Sequence, residues 1–134
     1  MYGLIVHNIQ IFLIEQFDKE IFDKIRKEAG LEEHVFCVHM QYPDDIILKL
    51  VLAAVHVTGW TKDDLLRGMG RRFPRFCGEY GYYKILKTVG RNVKEFLNGL
   101  DHMHESLRYS YPGMCTPSFY CDMESDTGLR LHYR

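Results

Sequence analysis

The sequence predicts an α+β fold that is mainly helical, a helical bundle closed by a C-terminal antiparallel β-hairpin, and three observations carry that expectation. Apolar residues recur at helical spacing from Leu4 to about Tyr109. Glycines, a proline and capping residues interrupt that stripe at intervals of a helix length. After Pro117 the texture changes to two short runs, "SFYCD" and "LRLHY", around turn residues. A chain of 134 residues and 15.8 kDa suits one domain with one modest core.

The elements follow in order. "GLIVHNIQIFLIEQFD" places Leu4, Ile5, Ile9, Phe12 and Leu13 on one helical face, and residues 17–28 continue in the same period with Ile21, Phe22 and Ile25 until Gly30 closes the run. "HVFCVHMQY" (residues 34–42) reads as extended from its β-branched and aromatic content. Asp44 and Asp45 start a helix whose apolar residues 46–57 read as buried, and Gly59 stops it. Thr61 opens the next helix with a T-x-x-D pattern, in which the hydroxyl accepts the N–H of Asp64. Pro74 is expected to kink or end it, since proline lacks the donor and clashes with the preceding turn. Gly78 and Gly81 bracket a loop, residues 82–89 form a short helix, and residues 91–109 form a long one that "YPGM" terminates as a turn. "SFYCD" and "LRLHY" are the hairpin strands around "MESDTG".

Composition excludes several classes. With 46% apolar and 26% charged residues the chain is ordinary globular material. A net charge of -1, with basic residues scattered except in "GRRFPR" (residues 70–75), argues against a nucleic-acid partner. That basic run suits either a solvated helix end or a surface for an acidic partner. The apolar segment 46–57 carries Lys49 and His56 and is too short to span a bilayer, so no membrane partner is expected. Cys37, Cys77, Cys115 and Cys121 form no C-x-x-C pair, which fits reduced thiols in a cytoplasmic protein. Ser106 and Ser110 have no accompanying base and orienting acid, so no catalytic site is expected.

The residues that raise a chemical question are His102 and His104 in "LDHMHESL". At about 100° per residue, Val93, Phe96, Leu97, Leu100, Met103, His104, Leu107 and Tyr111 share roughly a third of the helix circumference, with His102 almost opposite. Residues two apart on a helix face away from each other, so the pair does not chelate one ion. His102, between Asp101 and Glu105, reads as a solvated surface histidine. His104 has two readings, a core histidine satisfied internally or a metal ligand projecting from an apolar face. The second suits an axial haem ligand, because neutral imidazole binds iron and apolar side chains suit the porphyrin faces.

"MYGLI", "FCGEYGYYKILKTVGRNVKEFLNGLDHMHESL", "SYPGMCTPSFYCD" and "GLRLHYR" together resemble the haem-NO/oxygen-binding (H-NOX) domain of soluble guanylate cyclases, across essentially the whole chain. "FLNGLD" and "GLRLHYR" are more similar to the atypical β-type subunits than to the standard NO-activated one. The resemblance implies haem b as cofactor, with His104 as the axial ligand to its iron. It implies that Pro117 presses on the porphyrin, that Ile5 packs on it, and that Leu100, one turn before His104, faces it. Tyr133 matches the first residue of the Y-x-S-x-R motif that binds the propionates, and Arg134 falls at its first variable position. The resemblance therefore implies a domain, residues 1–134, incomplete at its C-terminal end. Phe73 and Ile9 stand where oxygen-binding relatives carry asparagine and tryptophan, and the usual distal tyrosine position lies beyond Arg134. Cys77 and Cys121 match cysteines near the haem and in the sheet, either redox-sensitive or buried as small hydrophobes.

The function so implied is a haem-based sensor of a diatomic gas (NO, O2 or CO) that regulates a guanylate cyclase in cyclic GMP signalling, with a cyclase subunit as partner. The alternative is a haem-free interaction or dimerisation module of such a subunit. The catalytic conversion of GTP to cyclic GMP would lie outside these residues.

Overall fold

The structure is a computed structural model that describes residues 2–31, 35–125 and 127–134. It divides into two compact units, Met1–Phe76 and Cys77–Arg134. The sequence-based fold class holds, with helices first and a two-stranded antiparallel sheet last.

The first unit is helical. In α1 (Gly3–Phe17) Ile9, Phe12 and Leu13 of the expected stripe are buried, Leu4 and Ile5 are half-buried, and Val6, which the stripe leaves out, is buried as well. The periodicity runs on through residue 17, but the chain breaks at Asp18, whose φ of 79° lies outside the helical region. Asp18 closes α1 by donating its N–H to Ile14 at 2.9 Å, and its carboxylate caps α2 (Lys19–Glu28) by accepting the Ile21 N–H at 2.9 Å. One acidic residue thereby serves two helix ends. Gly30, at φ 69°, stops α2 as expected.

Residues 35–42 are not a strand. Apart from one bridge between Tyr2 and Gln41 they form a loop, and His34, the first residue of the expected extended run, lies outside the described residues. The physical reason is the start of α1, whose first N–H groups have no partner inside the helix. The Gly3 N–H donates to the Met40 carbonyl at 2.8 Å and the Leu4 N–H to the Val38 carbonyl at 3.0 Å. The Tyr42 hydroxyl holds the loop closed by accepting the Cys37 N–H at 2.8 Å. β-propensity yields here to helix-end satisfaction.

In α3 (Asp45–Thr58) the residues Ile46, Leu50, Val51, Ala53 and Ala54 are buried, while Leu48 and Leu52 are exposed, so the helix is buried on one face only. Gly59, at φ 73°, ends it by donating its N–H to Val55 at 2.9 Å. α4 (Lys62–Cys77) opens as its capping pattern predicts, the Thr61 hydroxyl accepting the Asp64 N–H at 3.1 Å. Pro74 neither ends nor breaks this helix, which runs on to Cys77. Its missing N–H leaves only the Gly70 carbonyl without an intrahelical partner, a loss the last turn tolerates. The core joins these helices through Val6, Leu13, Ile25, Leu50 and Leu65, all fully buried. Each contributes about 1.5–3 kcal/mol by burial.

The second unit begins with a wide π-type turn, Gly78–Tyr82, where a loop is expected. Gly81 sits inside it at φ 86°, a left-handed conformation that costs glycine little, and the helical path breaks there rather than at Pro74. α5 (Tyr83–Val89) follows. α6 (Val93–Leu107) is capped by Asn92, whose side chain accepts the Glu95 N–H at 2.9 Å, while the Glu95 carboxylate accepts the Arg91 N–H at 2.9 Å. A turn at "YPGM" closes with Met114 donating to the Tyr111 carbonyl at 3.1 Å and Gly113 at φ 81°. β1 (Phe119–Ser125) pairs with β2 (Gly128–Tyr133) in the expected hairpin, Phe119 opposite Tyr133 and Cys121 opposite Leu131, with a bulge between Asp122 and Ser125. Asp126, within the expected turn, lies outside the described residues. Among the described residues no helix is long and apolar enough to cross a membrane.

Candidate haem-binding site

α6 carries the site. His104 is half-buried and His102 exposed, as the wheel requires. Phe96, Leu97, Leu100, Met103 and Leu107 are half-buried with it and Tyr111 is buried, but Val93 is exposed and does not belong to the apolar face. Val93 is the first helical residue, where the chain has just entered the helix.

The helix is stitched to β1 by side chains reaching backbone. Ser118 and Arg134 exchange N–H···O bonds at 2.9 and 3.1 Å, so the donors of Ser118, Tyr120 and Asp122 point to β2 and those of Phe119 and Cys121 point away. Asp101 accepts the Phe119 N–H at 2.9 Å and the Ser118 hydroxyl at 2.8 Å. Asn98 accepts the Cys121 N–H at 2.7 Å. Asn98 and Asp101 lie three apart on one helix face and act as a substitute strand for the outer edge of β1.

That stitching sets the surroundings of His104. The Phe119 ring stands 5.9 Å from the imidazole, and the Tyr133 ring packs edge-on against Phe119 at 5.3 Å, as expected for residues directly opposite in the hairpin. Burial holds the His104 imidazolium below its ordinary range, so the ring is neutral near pH 7. The Asp101 carboxylate and the Pro117 carbonyl oppose this, and burial wins. Asp101 is itself held below its usual range, first by the Phe119 N–H and then by the Ser118 hydroxyl. Although the Pro117 carbonyl is near enough to act on the ring, Nδ1 of His104 is buried without a hydrogen-bond partner among the described residues.

His104, Pro117 and Tyr133 are thus brought together around Phe119, with Leu100 one turn earlier on α6. Phe119, Asp101 and Asn98 were not singled out from the sequence. Asp101, one turn from His104 on the same face, was the available signal, whereas its bond to Phe119 crosses eighteen positions. Ile5 and Phe73 lie in the first unit, Ile5 half-buried against its core and Phe73 half-buried and stacked on Phe76 at 6.3 Å. Ile9 is buried in that core.

Whether these residues suit haem can be tested on the protein alone. Neutral imidazole is the iron-binding form, and a buried ring nitrogen lacks a partner. No residue of α5 or α6 is fully buried, and in the second unit only Cys77 and Tyr111 are among the described core residues. The apolar face of α6 is therefore incompletely covered. Among the described residues no group of three or more His, Cys, Asp and Glu side chains could hold a metal ion. The residues fit.

This mainly helical fold presents one neutral, half-buried histidine from an incompletely covered apolar helix face, an arrangement that suits a prosthetic group. The chain belongs to the haem-NO-binding family, whose profile matches residues 2–134. It is 37% identical to the soluble guanylate cyclase gcy-31 of Caenorhabditis elegans and 34% identical to gcy-33 of the same organism, over 134 residues in each case. All of this chain is covered, against 19% and 14% of those proteins, so it spans a fifth or less of their length. In structure it is similar to a mutant H-NOX protein from K. algicida in the unliganded Fe(II) state, with a TM-score of 0.85 and 26% identity over 100% of this chain and 72% of that one. These likenesses make the chain an H-NOX domain related to soluble guanylate cyclases, and its relatives are the atypical subunits that "FLNGLD" and "GLRLHYR" suggest.

Proposed function

We propose that this domain holds haem b on His104 and senses a diatomic gas, NO, O2 or CO, on behalf of a guanylate cyclase. The observation that carries the reading is the neutral imidazole of His104 with a buried ring nitrogen unpartnered, on a helix face that the protein itself leaves partly uncovered. When bound, haem iron supplies the atom at which the gas coordinates.

The residues of this chain do the rest. His104 offers a nitrogen lone pair, and Asp101 beside it is kept anionic and fixed in place by the Phe119 N–H and the Ser118 hydroxyl. Pro117, Leu100 and Phe119 supply apolar surface, and the Tyr133 hydroxyl supplies a donor for a propionate. A displacement of His104 is transmitted along α6 to the hairpin, because Asn98 and Asp101 bind β1 by two hydrogen bonds and Ser118, just before it, by a third. Coupling of this kind makes a sensor when gas binding favours one of two positions of the helix. The names of the C. elegans relatives support guanylate cyclase as the regulated activity and a cyclase subunit as partner.

Haem titration into the chain, followed by absorption spectroscopy, tests this. A Soret band that saturates at one haem per chain, and shifts when NO, CO or O2 is added to the ferrous protein, is the expected result. A chain that takes up no haem, or whose band is indifferent to all three gases, overturns the reading.

A further inference from the structure

The first unit contains a feature that gas sensing does not use. A cleft of about 750 Å³ lies between the C-terminal half of α1, the turn joining α3 to α4, and one face of α4. Phe12 and Trp60 supply apolar wall, and Arg67, Arg71, Arg72 and Arg75 line one side. Gly68 lets the two helices close at its floor, since a Cβ there would overlap the Phe12 ring.

The charge in this cleft is out of proportion to a chain whose formal net charge is -1. Its two carboxylates are both engaged. Glu15 receives two bonds from Arg72, at 2.9 and 3.0 Å, and Asp64 accepts the Thr61 hydroxyl at 2.7 Å. Arg67 and Arg71 are exposed and have no ion-pair partner among the described residues. Arg67, Arg71 and Arg75 recur every four residues, so they form a ladder along one face, rising about 6 Å per step. Guanidinium forks along one face suit the oxygens of a polyphosphate chain, which they bind in bidentate fashion.

Aromatic side chains line the cleft as well. Trp60 is half-buried, fixed edge-on against Phe17 at 5.0 Å, and borders the cleft. Indole is a favourable surface for a planar base, and the volume is that of a small-molecule site, roughly 300–1,000 Å³. We propose that this cleft binds a nucleoside triphosphate, its phosphates along Arg67 and Arg71 and its base against Trp60. The concave shape and the indole wall favour this ligand over a run of acidic side chains, which needs charge but no aromatic slot. None of its lining residues is among those proposed to hold haem.

Trp60 is the chain's only tryptophan, so its fluorescence reports on the cleft directly. The 134-residue chain is titrated with GTP, ATP, inorganic tripolyphosphate, guanosine and a glutamate-rich peptide. Saturable quenching by GTP or ATP is expected, with tripolyphosphate binding more weakly and causing little quenching, and guanosine binding weakest. Replacing both ladder residues, Arg67→Ala with Arg71→Ala, should weaken nucleotide affinity by about a hundredfold, at about tenfold per charge-assisted contact. The thermal midpoint should hold, because both residues are exposed. Arg67→Lys with Arg71→Lys keeps the charge but loses the forks, and should fall between the two. Absence of saturable quenching, unchanged affinity in both double variants, or tighter binding of the peptide than of either nucleotide overturns the proposal.

Discussion

Asp101, one turn before His104 on α6, accepts the backbone N–H of Phe119 at 2.9 Å, and Phe119 in turn places its ring 5.9 Å from the His104 imidazole. The histidine and the hairpin are therefore positioned by the same carboxylate. This makes the hairpin a part of the site rather than an appendage, and it gives the helix a mechanical link to the strands.

The first prediction tests that link. Asn98→Ala should destabilise the second unit by about 1 kcal/mol, the usual net value of one such hydrogen bond. It should also speed amide exchange at Cys121, while Asp101→Ala should do so at Phe119. Hydrogen exchange resolved by residue checks both. Unchanged protection at Phe119 and Cys121 would mean that α6 does not hold the edge of β1.

The second concerns the Glu15–Arg72 pair, in which Arg72 is buried. Its hydrogen bonds hold the Glu15 carboxyl below its ordinary value of 4.5. Between that value and the lowered one the unfolded chain binds more protons than the folded chain, so stability rises with pH there. The contribution is complete above pH 4.5 and is lost as pH falls through the lowered value. Glu15→Gln should cost about 1 kcal/mol at neutral pH, a figure discounted because the carboxylate is partly solvated. The gap between the two proteins in urea denaturation should close as pH is taken below 4.5 and through the lowered value. A gap independent of pH would remove the ion pair as its cause.

Much of this was legible beforehand, because some signals are local. Helical period alone separates His104 from His102, and single residues at Gly30, Gly59 and Thr61 mark helix ends that the structure keeps. What escaped depends on partners elsewhere in the chain. Residues 35–42 have strand composition, yet their carbonyls are taken by the start of α1. Pro74 is a strong breaker on paper, but it falls in the last turn of α4, and the break falls at Gly81, where a left-handed residue costs less. Asp101 and Asn98 look like ordinary surface polar residues until β1 lies beside them, since a bond from side chain to distant backbone leaves no periodic trace.

The third prediction concerns the thiols. Burial pushes Cys77 up to about 11, which leaves on the order of one thiolate in a thousand at pH 8. Cys37 and Cys115 are exposed. Alkylation at pH 8, read by mass spectrometry of peptides, should therefore modify Cys37 and Cys115 first and Cys77 last, with Cys121 between them. Early modification of Cys77 would identify it as a reactive thiol and contradict its role as a small buried hydrophobe.

The account turns on His104, and one measurement reaches it most directly: the Soret spectrum of the haem-loaded protein, compared with those of His104→Gly and His102→Ala. Removing an axial imidazole leaves a vacancy that free imidazole can fill, whereas removing an exposed histidine leaves the iron environment unchanged. His104→Gly should therefore lose its Soret band or retain it only with added imidazole, while His102→Ala matches the parent protein. Equal loss from both variants, or an unaltered spectrum for His104→Gly without imidazole, would contradict the assignment of His104 as the residue that holds the haem.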